Sequence, residues 1–256
     1  MVSSQPEFGI NPFDDDKLRE ECGVFGFYGH PDAAAHVALG LHALQHRGQE
    51  AAGIVSFDGV HFHSHRSLGS VGDHFSSAKV IDQLSGASAI GHVRYSTTGE
   101  TVIRNVQPLF ADLAGGGLAI AHNGNITNAT QLRRRLEKRG SIFQSTMDTE
   151  VIVHLIATCS RSGFVEKLID ALHHLVGAYS LVIQTNEALI GARDPRGVRP
   201  LVLGELDGSY ILCSETCALD IIGATFVRDV EPGEVIVIDE AGLRSLQPFP
   251  AAVKSR

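Results

Sequence analysis

Glu20-Glu21-Cys22-Gly23-Val24-Phe25-Gly26, "EECGVFG", is the point at which the chain changes character. Upstream lies an acidic, turn-rich leader, "MVSSQPEFGINPFDDDKLRE". Downstream, the run from Gly23 to Tyr28 is apolar and punctuated by glycine, and reads as a strand. A cysteine at that junction has two readings. Either Cys22 is an ordinary buried thiol on a first strand, or residues 1–21 are temporary and Cys22 is the amino terminus of the working protein.

Beyond the junction, short apolar runs alternate with turn signals. Asp32 is placed to cap a helix carrying Val37, Leu41 and Leu44 on one face and closing near Gly48. Asp58-Gly59 and Asp207-Gly208 mark hairpins. Ala89 to Arg94, Leu118 to His122, Ser180 to Gln184, Ala188 to Arg193 and Val235 to Ile238 read as buried strands. Helices are expected over Thr130 to Arg139, Asp148 to Cys159 and Val165 to Leu175. Hairpins recur and no strand–helix alternation persists, so the fold class is α+β, with antiparallel sheets and helices packed outside them. Residues 247–256 read as a tail or the start of a linker.

Composition bounds the function. The 256 residues suit a large domain, and 43% apolar with 20% charged residues is an ordinary globular balance. A formal net charge of −8 argues against nucleic acid and anionic membranes as partners. No apolar run reaches the roughly 18 residues of a membrane span, and the leader lacks the basic start and apolar centre of a signal peptide. Four cysteines without an export signal fit a reducing cytoplasm. Cys213 and Cys217 have no neighbouring histidine in sequence, so they read as core thiols, and no metal site is expected.

Several stretches carry more special residues than a scaffold needs. In "HVRYSTTGE" (His92 to Glu100), Arg94 ends a strand and can grip a carboxylate through paired hydrogen bonds. "AHNGNITN" (Ala121 to Asn128) ends another strand in a turn whose side-chain amide and backbone N–H form the donor pair an oxyanion needs. "STMDTE" sets Asp148 at a helix start, where spacing alone favours a helix cap. "QHRGQEAAG" is a charged, glycine-bearing turn around Arg47. Thirteen histidines are present, but none is singled out as the base a cysteine nucleophile needs. A free amino terminus on Cys22 would remove that difficulty, because an α-amino group titrates near about 7.7.

Taken in order, "CGVFGFYG", "ALQHRGQEAAGI", "GHVRYSTTG", "NVQPLF", "AHNGNITN", "DTEVI", "GARDPRGVRPLVLG" and "SETCALDIIGATFVRDVEPGE" resemble the class II glutaminase domain of the amidophosphoribosyltransferase family. The resemblance spans residues 22–246. It implies an N-terminal-nucleophile hydrolase fold, a four-layer αββα sandwich with two antiparallel sheets. Cys22 would then attack the side-chain amide of glutamine, with its own amino group as the base. Asn123 and Gly124 would hold the oxyanion. Arg94, with Thr97 and Thr98, would bind the glutamine α-carboxylate, and Asp148 the α-ammonium, which displaces the cap reading. Arg47 would shape the pocket.

The same resemblance implies residues 1–21 as a propeptide, and a phosphoribosyltransferase partner domain whose diphosphate-binding loop does not occur in these residues. No cofactor is expected in residues 1–256. Mg2+ and, in some members, an iron–sulfur cluster belong to the full-length enzyme, which would form a homo-oligomer. Two other readings stay open: the glutaminase domain of another class II amidotransferase, or an unprocessed, inert regulatory module.

Overall fold

The computed structural model describes residues 22–95 and 102–249. The leader, Thr97, Thr98 and residues 250–256 lie outside the described residues. The first strands are β1 (Gly23–Tyr28), β2 (Ala51–Phe57), β3 (Phe62–Leu68), β4 (Ser88–Arg94), β5 (Leu109–Leu113), β6 (Gly116–Ile126) and β7 (Gly177–Thr185). They are followed by β8 (Leu189–Arg193), β9 (Val202–Leu206), β10 (Ser209–Cys213), β11 (Thr225–Asp229), β12 (Val235–Asp239) and β13 (Gly242–Leu246). The helices are α1 (Ala33–Ala43), α2 (Val71–Phe75), α3 (Ala78–Asp82), α4 (Ala129–Glu137), α5 (Thr149–Thr158), α6 (Phe164–His173) and α7 (Cys217–Asp220).

Two antiparallel sheets result, ordered β11-β9-β10-β1-β4-β2-β3 and β13-β12-β8-β7-β6-β5. The apolar runs are continuous because these strands are buried on both faces. In β1, Phe25 and Phe27 join a core with Val37 and Leu41 of α1, whereas Val24 joins a second core with Val182 of β7 and Leu189 of β8. In β6, Ala119 and Ala121 enter that same inter-sheet core. Leu118 and Ile120 face a third core containing Ile152 and Ile156 of α5 and Leu168 of α6. The three cores separate four layers, helix–sheet–sheet–helix, as the resemblance implied. Glycine sets the spacing at two close approaches: a Cβ on Gly26 would meet Val182 at 2.6 Å, and one on Gly40 would meet the Phe25 ring at 2.3 Å.

The structure differs from the sequence reading in instructive places. Asp32 holds the N-cap position of α1, but its side chain makes no cap bond. The Asn123-Gly124-Asn125 segment is not a turn. β6 continues to Ile126 because β7 is long enough to pair it throughout, Gly124 opposite Tyr179. β5, β13, α2 and α3 had no sequence expectation. The Asp207-Gly208 hairpin is as expected, with φ of 52° and 80° at its two central residues. Among the described residues, no helix is long and apolar enough to cross a membrane.

Candidate active site

Three chain segments meet at one end of the first sheet. Cys22 enters β1, Arg94 and Tyr95 leave β4, and Arg47 closes a 3-10 turn (Leu44–Arg47) after α1. Pairing forces this convergence, since Gly23 lies opposite Val93 and Ala51 opposite Arg94. Gly48 permits it: a Cβ there would stand 2.4 Å from the Arg94 carbonyl carbon.

Cys22 is gripped on both sides of its own residue. Its N–H donates to the Arg47 carbonyl at 3.0 Å, and Arg47 Nε donates to the Cys22 carbonyl at 2.7 Å. The thiol faces the Tyr95 carbonyl at 3.6 Å. These contacts hold Cys22 at φ 67°, a left-handed conformation costing a non-glycine residue about 1–2 kcal/mol. Arg47 is 1% exposed and pairs through Nη1 with Glu215, beyond the end of β10. Burial works against ionisation of Glu215, but its bond to Arg47 prevails and holds the carboxyl below its ordinary range.

The second sheet supplies the remaining polar groups. His92 of β4 donates through Nε2 to the His122 carbonyl of β6 at 3.2 Å, bridging the two sheets. Burial pushes the His92 imidazole down to about 3, so it makes this bond as a neutral ring. Asn123 follows. It is fully buried, and neither its amide oxygen nor its amide nitrogen has a hydrogen-bond partner among the described residues. Leaving such groups unmade costs about 1–3 kcal/mol each. Gly124 adopts φ 150°, and a Cβ there would stand 2.1 Å from the Ala178 carbonyl oxygen.

Asp148 occupies the N-cap position of α5 without making a side-chain cap bond. Its Oδ2 instead accepts from the Ile126 N–H of β6 at 2.9 Å, and its Oδ1 lies 3.6 Å from His122 Nδ1. Burial disfavours the carboxylate, yet the His122 imidazole and these hydrogen bonds outweigh it, so the carboxyl stays below its ordinary range. Arg94, 3% exposed, directs Nη1 to the Asn105 carbonyl at 2.8 Å and to Met147 Sδ at 3.2 Å. Asn105 in turn exchanges two side-chain bonds with Thr146. Arg94 of β4 is thereby anchored to the segment that leads into Asp148.

Contacts tie Cys22 to Arg47 and Tyr95, Arg94 to Met147 beside Asp148, and Asp148 to His122, which precedes Asn123 and Gly124 in β6. Thr97 and Thr98 fall outside the described residues. Glu215, His122 and Asn105 were missed. Both Glu215 and His122 stood in the quoted motifs "SETCAL" and "AHNGNITN", but only the fold brings them to Arg47 and Asp148.

Comparison with known proteins bears on the family and the fold. The four-layer sandwich around two antiparallel sheets is the architecture of N-terminal-nucleophile hydrolases. A family model described as glutamine amidotransferase domain matches residues 92–220, and the chain belongs to that family. It is 61% identical over 229 residues to an amidophosphoribosyltransferase of Rhizobium etli, covering 90% of this chain and 46% of that one. Identity to the Bacillus subtilis amidophosphoribosyltransferase is 47%, covering 89% and 48% of the two chains. The solved B. subtilis glutamine phosphoribosylpyrophosphate amidotransferase, complexed with ADP and GMP, superposes with a TM-score of 0.84 at 45% identity, covering 89% of this chain and 49% of that one. A glutamine aminotransferase class-II domain protein from Silicibacter pomeroyi shares the fold at 13% identity and a TM-score of 0.62, covering 90% of this chain and all of that one. The chain spans about half the length of the amidophosphoribosyltransferases it matches.

Proposed function

We propose that this domain hydrolyses glutamine to glutamate and ammonia, with Cys22 as nucleophile, as the ammonia-supplying half of an amidophosphoribosyltransferase. That enzyme makes 5-phosphoribosylamine in the first step of de novo purine biosynthesis. The observation that carries the reading is the Asn123 amide, buried without a partner among the described residues at the start of the Asn-Gly pair. A tetrahedral intermediate would satisfy that amide.

The chemistry follows from the groups present. The Cys22 amine takes the thiol proton, and sulfur attacks the side-chain amide carbon. The oxygen gains the negative charge and is met by Asn123 Nδ2 and the Gly124 N–H. The C–N bond then breaks, the amine's proton goes to the departing nitrogen, and ammonia leaves a thioester. Water, deprotonated by the same amine, cleaves the thioester to glutamate and restores the thiol. Arg94, with Thr97 and Thr98, holds the α-carboxylate, and Asp148 the α-ammonium. The phosphoribosyltransferase partner, Mg2+ and homo-oligomer assembly belong to the longer protein. An iron–sulfur cluster does not fit the described cysteines, because no group of four of them converges.

This chemistry needs a free Cys22 amine, so residues 1–21 are proposed to be removed by cleavage of the Glu21–Cys22 bond. The strained φ of Cys22 supports that site of cleavage. Intact-mass analysis paired with glutaminase assay tests both points. The expected result is a chain starting at Cys22 that releases ammonia, and a Cys22→Ala chain that keeps its leader and releases none. Glutamine hydrolysis by a chain still carrying the leader would overturn the mechanism, since its Cys22 nitrogen would be an amide.

A further inference from the structure

Beside Arg47, three potential metal ligands converge. His46 lies next to Arg47 in the 3-10 turn, and Glu215 and Cys217 lie beyond β10. Their ligand atoms all fall within 4.8 Å of one another. His46 Nε2 is 3.1 Å from Glu215 Oε2, and Cys217 Sγ is 3.6 Å from the same oxygen.

For tetrahedral zinc with Zn–S about 2.3 Å and Zn–N or Zn–O about 2.0–2.1 Å, the ligand edges are about 3.3 Å for N···O and about 3.5–3.6 Å for both S···O and S···N. Two of the three edges therefore already have about the length a metal would require, and the third, sulfur to nitrogen, lies within 4.8 Å. His46 Nδ1 faces the Ala43 carbonyl at 3.0 Å and donates to it, so Nε2, which meets Glu215 Oε2, is the nitrogen a metal would take. A backbone carbonyl holding the distal imidazole nitrogen is the usual way proteins orient a metal-binding histidine. His46 has a side chain 55% exposed and Glu215 31%, so a cation can enter from solvent.

We propose that His46, Glu215 and Cys217 form a binding site for a zinc-class divalent cation, with water completing the tetrahedron. One thiolate, one imidazole and one carboxylate favour Zn2+ or Co2+ over Mg2+ and Ca2+. Binding replaces the Cys217 S–H bond with a metal–sulfur bond, and that proton, with any proton His46 Nε2 shares with Glu215, goes to solvent. The metal takes Glu215 Oε2, while Arg47 holds the other oxygen, so the cation and the Cys22 strap share one carboxylate.

The test uses the full chain carrying Cys22→Ala, which removes one competing thiol and makes the result independent of glutamine chemistry, the partly exposed Cys159 being controlled by the Cys217→Ser chain. Titration with Co2+ is followed by thiolate-to-cobalt absorbance in the near ultraviolet. The expected result is one equivalent of Co2+ bound with that band, displaced by Zn2+ and unaffected by Mg2+. Adding Cys217→Ser abolishes the band. Adding His46→Gln, at a half-exposed position that does not threaten folding, retains the thiolate but weakens binding by at least about tenfold. The proposal is overturned if no band forms, or if affinity is unchanged in the His46→Gln chain.

Discussion

Arg47 and Cys22 hold each other by two hydrogen bonds running in opposite senses, backbone N–H to carbonyl at 3.0 Å and guanidinium to carbonyl at 2.7 Å. The strap orients the residue while leaving the nitrogen lone pair of a freed amine for the thiol proton. A lysine at position 47 cannot donate from Nε and also pair with Glu215. Arg47→Lys is therefore expected to lower glutaminase kcat by about 10²-fold, the scale of a small misplacement of a reacting group. Steady-state rates read against thermal melts check this; a folded Arg47→Lys chain with normal kcat would remove the strap from the mechanism.

Asn123 is the position where turnover and binding should separate. Removing one oxyanion donor costs about 2.7–4 kcal/mol in the chemical step. Asn123→Ala is expected to lose roughly 10²–10³ in kcat with glutamine KM little changed. Because the native amide is buried without a partner among the described residues, the alanine chain should melt no lower than wild type. A lower melt with unchanged kcat would make Asn123 structural.

The pH dependence should separate two groups. Asp148 is held below its ordinary range, so it remains ionised and able to hold an ammonium as pH falls through the usual carboxylate pKa of about 3.9. That contribution is present above the ordinary value and disappears only as pH drops through the depressed one. The acid limb of kcat/KM should come instead from protonation of the Cys22 amine, near about 7.7. His122→Gln removes the main influence lowering the Asp148 value. It should shift the loss of glutamine binding upward in pH, read by calorimetric titration, and leave the amine limb in place.

Gly48 gives a prediction about stability. A methyl group there meets the Arg94 carbonyl carbon at 2.4 Å and the Tyr95 nitrogen at 2.8 Å, backbone atoms that cannot rotate away. Gly48→Ala should cost about 1–3 kcal/mol. For a chain of this size that is a fall in Tm of roughly 2–12 °C. Because the end of β4 must shift, glutamine KM should rise with it. An unchanged melt would show that the turn can move without disturbing β4.

The scaffold was legible where burial on both faces left unbroken apolar runs, as in β1, β4, β8 and β12. β5, with exposed Phe110 among its five residues, and β13 carry no such signal. Asn-Gly-Asn reads locally as a turn, and only pairing with the long β7 keeps it extended. Asp148 illustrates a different limit. Its spacing fits a helix cap, while its carboxylate serves β6 instead, a choice made by tertiary contacts. The Glu215 partnership with Arg47 spans 168 residues, beyond the reach of any local pattern.

The position of β1 between β4 and β10 also governs when the site can exist. The Val24 N–H bonds Ser214 Oγ across 190 residues of chain, so the strand behind Cys22 lacks one neighbour until nearly the whole domain has been synthesised. At about 5–20 residues per second, that is a wait of roughly 10–40 s on the ribosome. Stalled nascent chains ending before Ser209 should therefore retain the leader, and those extending past Ser214 should lose it. The strand behind Cys22 is thus among the last to gain both neighbours, and with Cys22 as the proposed nucleophile ammonia release would not start on an unfinished protein.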